Sequence, residues 1–173
     1  AYGVRLAEPG DTLVVGLGNP ILGDDGVGWH VVDDLDAVGV EASLQQACVG
    51  GVGLMELLVG YERAIIIDAI IDPEHPPGSV WCRPLSAVET RVASHLDSSH
   101  DAPLPAAIDA GRAMGADLPS VIEVVGIVIE RGDIFGEELS GPVAAAVPVA
   151  RAAVEEALQG PRQVSHQGEI VHA

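Results

Sequence analysis

TLVVGLGNPILGDDGVGWHVVDDL, residues Thr12 to Leu35, is the stretch that decides the fold. It begins with residues typical of a buried strand, turns through glycines and an Asn-Pro pair, and ends with apolar residues at helical spacing. Asp24 and Asp25 stand directly before that helix. In open α/β sheets, ligands bind where strand ends and helix starts converge, because backbone amides line that crevice. We expect one carboxylate to cap the helix and the other, Asp25, to be available for chemistry.

Composition limits the possible functions. At 173 residues and 48% apolar content, the chain has the size and composition of one folded domain. The 8 basic and 26 acidic residues give a formal charge of −18, which makes nucleic acid an unfavourable partner. All the basic residues are arginine, so mechanisms that require lysine, such as a P-loop or a Schiff base, are excluded. The negative charge either attracts a basic docking partner or only keeps the protein soluble.

The chain also lacks signals for membrane insertion or export. No apolar run approaches the ~20 residues that span a bilayer, and no signal peptide opens the sequence. The cysteines, Cys48 and Cys82, are far apart and form no CxxC motif, which fits a reducing compartment. We therefore predict a cytoplasmic protein with no membrane partner.

A second carboxylate interrupts the run Ala64–Asp72, which reads AIIIDAIID. Unbroken apolar, β-branched residues predict a strand that is covered on both faces, and such a strand is central and parallel. Asp68 therefore lies near the carboxyl end of an interior strand. A buried carboxylate must be paired, hydrogen-bonded or bound to a ligand, since burying it alone is costly. Asp68 is a second candidate site residue, and the alternative is a structural acid that caps a neighbouring loop.

A long loop supplies the third candidate. Periodicity lapses from Ser86 to Pro103, and loops of this length commonly act as lids or binding segments. His95 and His100 lie in it. Two carboxylates and one imidazole suit a first-row divalent cation with positions left open for substrate or water. They equally suit acid–base catalysis without a metal held by the protein, and the residues alone leave both interpretations open.

The whole pattern predicts the element order β α β α β β α β α, which describes a three-layer α/β/α domain over residues 1–160. The last helix covers Ser140 to Leu158, where Pro148 should kink or divide it. Residues 161–173 have no periodicity and are predicted to form a mobile tail. Competing motifs fail: GLGNPI lacks the third glycine of a dinucleotide fingerprint, and neither G-x-S-x-G nor H-E-x-x-H occurs.

Five sequence blocks together resemble the hydrogenase maturation proteases, the endopeptidases that trim the C-terminus of [NiFe]-hydrogenase large subunits. The blocks are GLGNPILGDDGVG at Gly16–Gly28, GLMELL from Gly53, IIIDAI at Ile65–Ile70, SSH with its following helix at Ser98–Gly115, and VVGIVIE at Val124–Glu130. The resemblance extends from about Leu13 to Leu158. It implies a twisted, mostly parallel five-stranded sheet between helices, of the phosphorylase/hydrolase-like kind.

The resemblance also implies an activity and its residues. Asp25, Asp68 and His100 correspond to the nickel-recognising and catalytic residues of an aspartic-type endopeptidase. His100 is preferred to His95 because the helix that follows the family's histidine begins at the corresponding distance. The implied partner is a [NiFe]-hydrogenase large-subunit precursor. Its own nickel would be engaged before cleavage, and the protease would hold no tightly bound metal of its own.

One departure from the family keeps other functions in view. Relatives often carry an acid before the glycine pair that follows the second strand, whereas Val49 precedes Gly50-Gly51 here. This change favours an alternative, a nickel-binding or docking module that recognises the precursor without cutting it. A third interpretation is a self-sufficient metallohydrolase acting on a small substrate, which the absence of a third strong ligand motif disfavours.

Overall fold

The computed structural model describes residues 12–88 and 102–160. The predicted C-terminal tail and both loop histidines, His95 and His100, lie outside these described residues. Within them, helices and strands follow one another in the predicted order. They are β1 (Thr12–Leu17), α1 (Val27–Val38), β2 (Ser43–Ala47), α2 (Gly51–Leu58), β3 (Arg63–Ile70), β4 (Val80–Pro84), α3 (Leu104–Ala113), β5 (Val121–Val128) and α4 (Gly141–Leu158).

The strands form one five-stranded sheet in the order β2-β1-β3-β5-β4. β1, β2, β3 and β5 are parallel, and β4 runs antiparallel to β5. The prediction of a mostly parallel five-stranded sheet is therefore confirmed. β3, the predicted interior strand, lies at the centre, and β2 and β4 lie at the two edges.

Two hydrophobic cores cover the two faces of the sheet. Along β3, Ile65 and Ile67 pack against α1 and α4, whereas Ile66 and Ile70 pack against α2 and α3. This alternation follows from the period of two in a strand, which sends successive side chains to opposite faces. Because both faces are covered by helices, the central strands have apolar residues at nearly every position, and the architecture is α/β/α as predicted.

Pro148 was predicted to kink or divide the last helix, and the structure shows that it does not divide it. α4 runs unbroken from Gly141 to Leu158 with Pro148 inside it. The proline removes the hydrogen bond to the carbonyl of Ala144, and both residues lie on the exposed side of the helix. That carbonyl therefore faces solvent, while the opposite side of α4 packs on the sheet through buried residues such as Val147 and Val154.

None of the helices in residues 12–88 and 102–160 combines the length and the apolar character that a bilayer-crossing helix needs.

Candidate functional site

The two candidate carboxylates lie at the carboxyl edge of the parallel strands. β1 and β3 are adjacent, with Gly16 aligned with Ile67, so the loop that leaves β1 emerges beside Asp68. This loop contains a short 3₁₀ turn, Gly23–Gly26, which carries Asp24 and Asp25 and contacts β3. The structure therefore brings the first loop and Asp68 to the same edge of the sheet.

Glycines allow this loop to pack so tightly. Gly18 has a φ of 131°, and a Cβ on it would collide with the backbone carbonyl of Asp25. A Cβ on Gly28 would lie 2.5 Å from the carbonyl oxygen of Leu17 and 2.9 Å from that of Ile67. The first turn of α1 thus rests directly on the backbones of β1 and β3, which no larger residue would permit. The glycine spacing of this stretch is a requirement of backbone packing around Asp25.

Asp25 is half-buried, and the backbone of its own loop fixes its side chain. Its Oδ2 accepts a hydrogen bond of 2.8 Å from the backbone N–H of Asn19. Its Oδ1 lies on the side of Gly132, where a Cβ on that glycine would be only 3.3 Å away. A carboxylate held by a backbone donor on one side and a glycine on the other has a restricted orientation, which suits a group that must meet a substrate in one geometry.

Asp24 has a different task from the one predicted. Its Oδ1 accepts a 2.7 Å hydrogen bond from the backbone N–H of Ser140, and its Oδ2 accepts one of 2.8 Å from the Ser140 hydroxyl. Neither aspartate caps α1, because the N-cap position is Gly26 and no side chain bonds there. The expectation of a capping aspartate is therefore wrong. The 3₁₀ turn places both carboxylates one turn before α1, and Asp24 fastens the first loop to the start of α4.

Asp68 is fully buried within β3 and is aligned with Gly126 of β5. Gly126 is in turn aligned with Trp81 of β4, and a Cβ on Gly126 would collide with the Trp81 indole ring. The three residues form a row across the sheet, on the face covered by α2 and α3. The indole N–H of Trp81 is buried and has no hydrogen-bond partner among residues 12–88 and 102–160. The Asp68 carboxyl group and the Trp81 indole N–H are therefore polar groups within an otherwise apolar layer.

The loop after β3 contains a carboxylate–imidazole pair that the sequence analysis missed. Asp72 Oδ2 lies 2.6 Å from His75 Nδ1, and Asp72 Oδ1 accepts a 2.9 Å hydrogen bond from the backbone N–H of Glu74. Burial alone would raise the pKa of Asp72, but the hydrogen bonds from His75 and the Glu74 backbone, with the positive charges nearby, hold it below its usual value. The i, i+3 spacing of an Asp and a His across Pro73 was the signal available in the sequence.

Within the described part of the chain, no three His, Cys, Asp or Glu side chains are grouped closely enough to hold a metal ion. His100, the predicted third member of the set, lies outside that part. Asp25 and Asp68 are carboxylates at the same edge of the sheet, and the metal-recognising and catalytic roles assigned to the three residues stay predictions.

Comparison with known proteins agrees with this fold. A family model described as hydrogenase maturation protease matches residues 36–158, a range that includes Asp68 and begins beyond Asp25. The hydrogenase 2 maturation protease of Escherichia coli K12 is 28% identical over 121 residues, which cover 68% of this chain and 73% of that protein.

Solved structures are similar over nearly their whole length. The [NiFe] hydrogenase maturation protease HybD from Thermococcus kodakarensis is 26% identical with a TM-score of 0.63, covering 85% of this chain and 98% of that one. The hydrogenase maturating endopeptidase HybD from E. coli has a TM-score of 0.68 at 22% identity, covering 94% and 97% of the two chains, and at that identity supports the fold alone.

The fold and these relatives define the class of protein, an α/β/α peptidase. Since the family model matches well over half of the sequence, the chain belongs to the hydrogenase maturation proteases, and it is a peptidase. The predictions of the family, the fold class and the enzymatic activity are confirmed.

Proposed function

We propose that this protein is an endopeptidase that removes the C-terminal extension of a [NiFe]-hydrogenase large-subunit precursor after nickel has been inserted. It would do so in the cytoplasm and in the manner of an aspartic-type protease. The observation that carries the proposal is the meeting of the Asp25 loop with the buried carboxylate of Asp68 at one edge of the sheet. Carboxylates at this position of a parallel sheet face the crevice where α/β proteins bind their ligands.

In this proposal the nickel belongs to the substrate. Asp25, Asp68 and His100 would contact a nickel ion that the precursor already holds. That contact contributes binding energy that a nickel-free precursor lacks, so processing discriminates between the two by differential affinity. The protease therefore needs no tightly bound metal of its own. The restricted orientation of Asp25, set by the Asn19 N–H, supports a role in recognising a metal centre of fixed geometry.

The test compares nickel-loaded and nickel-free precursor with protease that has been dialysed against a chelator. We expect loss of the C-terminal extension from the nickel-loaded precursor only, followed as a mass decrease over time. Equal cleavage of both precursors would overturn nickel recognition, and cleavage of neither would overturn the proposed function. Cleavage that is lost after dialysis and restored by added metal would show a resident metal instead.

The two loop histidines provide a matched pair of variants. His100→Ala is expected to abolish discrimination between the two precursors together with most of the cleavage. His95→Ala, a change of the same size in the same segment, should leave both unchanged. If His95→Ala has the larger effect, the histidine has been assigned to the wrong position, and the carboxylate part of the proposal stands on its own test.

Recognition of the precursor without cleavage is a second candidate function, and Val49 favours it. Relatives often carry an acid at this position, whereas the Val49 side chain is apolar and partly exposed. This candidate predicts a stable complex with the nickel-loaded precursor and no truncation of it. Val49→Asp then separates the two candidates. A docking module would gain cleavage from the added acid, whereas a working protease would need no acid there.

A further inference from the structure

We propose that Ile21, Ile134 and Phe135 form an apolar docking surface for the precursor polypeptide. The precursor segment that binds there contains an apolar residue with basic residues on either side of it. This proposal rests on the proposed function, because it takes the hydrogenase large-subunit precursor as the partner. The three residues are called the apolar rim below.

The apolar rim is fastened to the loop that carries Asp25. The backbone N–H of Gly23 donates to the carbonyl of Gly136 over 2.6 Å, and the N–H of Gly136 donates to the carbonyl of Ile21 over 3.0 Å. Leu22 and Gly136 thereby form a parallel bridge, which places Phe135 beside Ile21. The two hydrogen bonds from Ser140 to Asp24 close the same loop at its far end.

This connection puts the apolar rim next to the candidate site. Gly132 belongs to the same connection between β5 and α4, and it lies against Oδ1 of Asp25. A polypeptide resting on the apolar rim would therefore pass directly beside the carboxylate. The rim and Asp25 are connected by hydrogen-bonded backbone, so the distance between them is fixed. A polypeptide that binds to the rim would therefore have one particular peptide bond positioned near Asp25, as a protease requires.

The exposure of these side chains calls for a partner. Phe135, the only phenylalanine of the chain, is 82% exposed, and Ile134 and Ile21 are 56% and 45% exposed. Single exposed apolar side chains are common on protein surfaces, but a contiguous group on an ordered backbone indicates an interaction site. An aromatic residue of this kind is a typical anchor of protein interfaces, where it fills a pocket of the partner.

The charges around the apolar rim define the partner further. Glu137 and Glu138 follow it after Gly136 and are exposed. The preceding Asp133 forms an ion pair with Arg131, with guanidinium contacts of 2.9 and 3.0 Å. Among the residues that the structure describes, neither Glu137 nor Glu138 forms an ion pair. The rim is thus bordered by negative charge on one side, on a chain with a net charge of −18. A segment with basic residues beside its apolar side chain would be attracted both at long range and in contact.

The same charges disfavour a second copy of this chain as the occupant. Two apolar rims facing each other would bring Glu137 and Glu138 of one protomer towards the same residues of the other, and like charges across an interface are unfavourable. Nucleic acid is repelled for the same reason. The precursor is therefore the occupant that fits both the apolar and the charged part of the surface.

The experiment measures precursor binding and cleavage with Phe135→Ser and with Ile134→Ser plus Phe135→Ser. The matched control is Met114→Ser, because Met114 is a large apolar residue that is 78% exposed at the end of α3, on the opposite edge of the sheet. We expect the Phe135 variants to bind nickel-loaded precursor at least about tenfold more weakly, with the loss in KM rather than in kcat. The control should match the wild type, and thermal unfolding should be the same for all.

A charge-reversed variant, Glu137→Lys plus Glu138→Lys, tests the basic part of the segment. It should lower the association rate and make binding less dependent on salt concentration. Unchanged salt dependence would overturn the assignment of basic flanking residues.

The outcomes separate this proposal from the proposed function. Wild-type binding and cleavage that Phe135→Ser leaves unchanged would overturn the docking surface and leave the protease function standing. Wild-type binding that is weakened by Phe135→Ser, without any cleavage, would support the surface and overturn the protease function. No binding by the wild type would overturn both. A wild-type dimer that Phe135→Ser dissociates, with unchanged precursor affinity, would show a self-interface and overturn the proposal.

Discussion

Two carboxylates are buried in the sheet, at opposite ends of neighbouring strands. Glu123 lies near the amino end of β5, on the side of α1 and α4, where it forms an ion pair with Arg63. The same arginine donates to the Ala157 carbonyl, so it also holds the end of α4. Asp68 lies near the carboxyl end of β3, on the other face, beside the loop that carries Asp25. Burial of an acid is therefore not enough to indicate function.

The two edges of the sheet differ in the same way. An open cleft of about 490 Å³ lies at the amino edge, between the start of β5, the end of β4 and α3, with Arg112 and Ile108 in its wall. The carboxyl edge has tightly packed glycine loops, the candidate carboxylates of Asp25 and Asp68, and exposed apolar side chains. The open cleft and the candidate carboxylates therefore lie at opposite edges of the sheet. The proposed function assigns substrate processing to the carboxyl edge because of its residue types, and cavity volume takes no part in that assignment.

The largest expected effect is a difference in cleavage activity between variants of the two buried acids. Asp68→Asn keeps the shape of the side chain but replaces the carboxyl group with an amide, and we expect cleavage of nickel-loaded precursor to fall about 10²- to 10⁴-fold. Glu123→Gln leaves Arg63 without its anion and should cost about 3 kcal/mol of unfolding free energy, because a buried ion pair is broken, while cleavage stays unchanged below the unfolding temperature. Precursor assays and urea unfolding measure both. Full activity of the Asp68 variant would show that the two buried acids do not differ in function.

The next effect concerns the packing of the carboxyl edge. Gly28→Ala would place a Cβ 2.5 Å from the carbonyl oxygen of Leu17, so α1 would have to move off the sheet. We expect a loss of about 3 kcal/mol in unfolding free energy. Gly141→Ala at the start of α4 is the control, because no atom of the described residues lies within 4 Å of the added Cβ. It should be neutral or slightly stabilising. Equal unfolding midpoints for the two variants would contradict the tight packing.

A smaller effect is expected from Gly132→Ala. The added methyl group would lie 3.3 Å from Oδ1 of Asp25 and would displace that oxygen by a few tenths of an ångström. We expect cleavage to fall about tenfold with little change in unfolding free energy, since a slightly misplaced catalytic group costs activity before it costs stability. Steady-state kinetics with the nickel-loaded precursor measures this. A loss of stability without a loss of activity would show that Gly132 serves the loop alone.

The smallest effect is a pH-dependent one in the loop after β3. The lowered pKa of Asp72 means that its ionised form stabilises the folded state. This contribution is complete above the unfolded-state pKa of about 4 and is lost as pH falls through the lower folded-state pKa. Asp72→Asn should therefore reduce the unfolding free energy by up to about 1 kcal/mol near pH 6, and the difference should disappear in acid. Urea midpoints measured across this range test it, with a pH-independent difference as the contrary result.

Three features could be predicted from the sequence alone: the order of the elements, the central position of β3 and the placement of Asp68 in that strand. These features follow from local periodicity, since a strand covered on both faces must be apolar along its length. It also marked the first loop, because its glycine spacing is needed wherever the first turn of a helix rests on two strands.

Tertiary structure alone decided which partners the polar groups found. Asp24 bonds to Ser140, 116 residues away, and Glu123 pairs with Arg63, 60 residues away, and no local pattern encodes contacts at such separations. Pro148 stays within α4 because the carbonyl that it leaves unpaired faces solvent, which depends on how the helix lies on the sheet. The exposure of Phe135 was decided in the same way. An apolar residue in a loop is buried or presented to a partner according to where the backbone of another segment holds that loop.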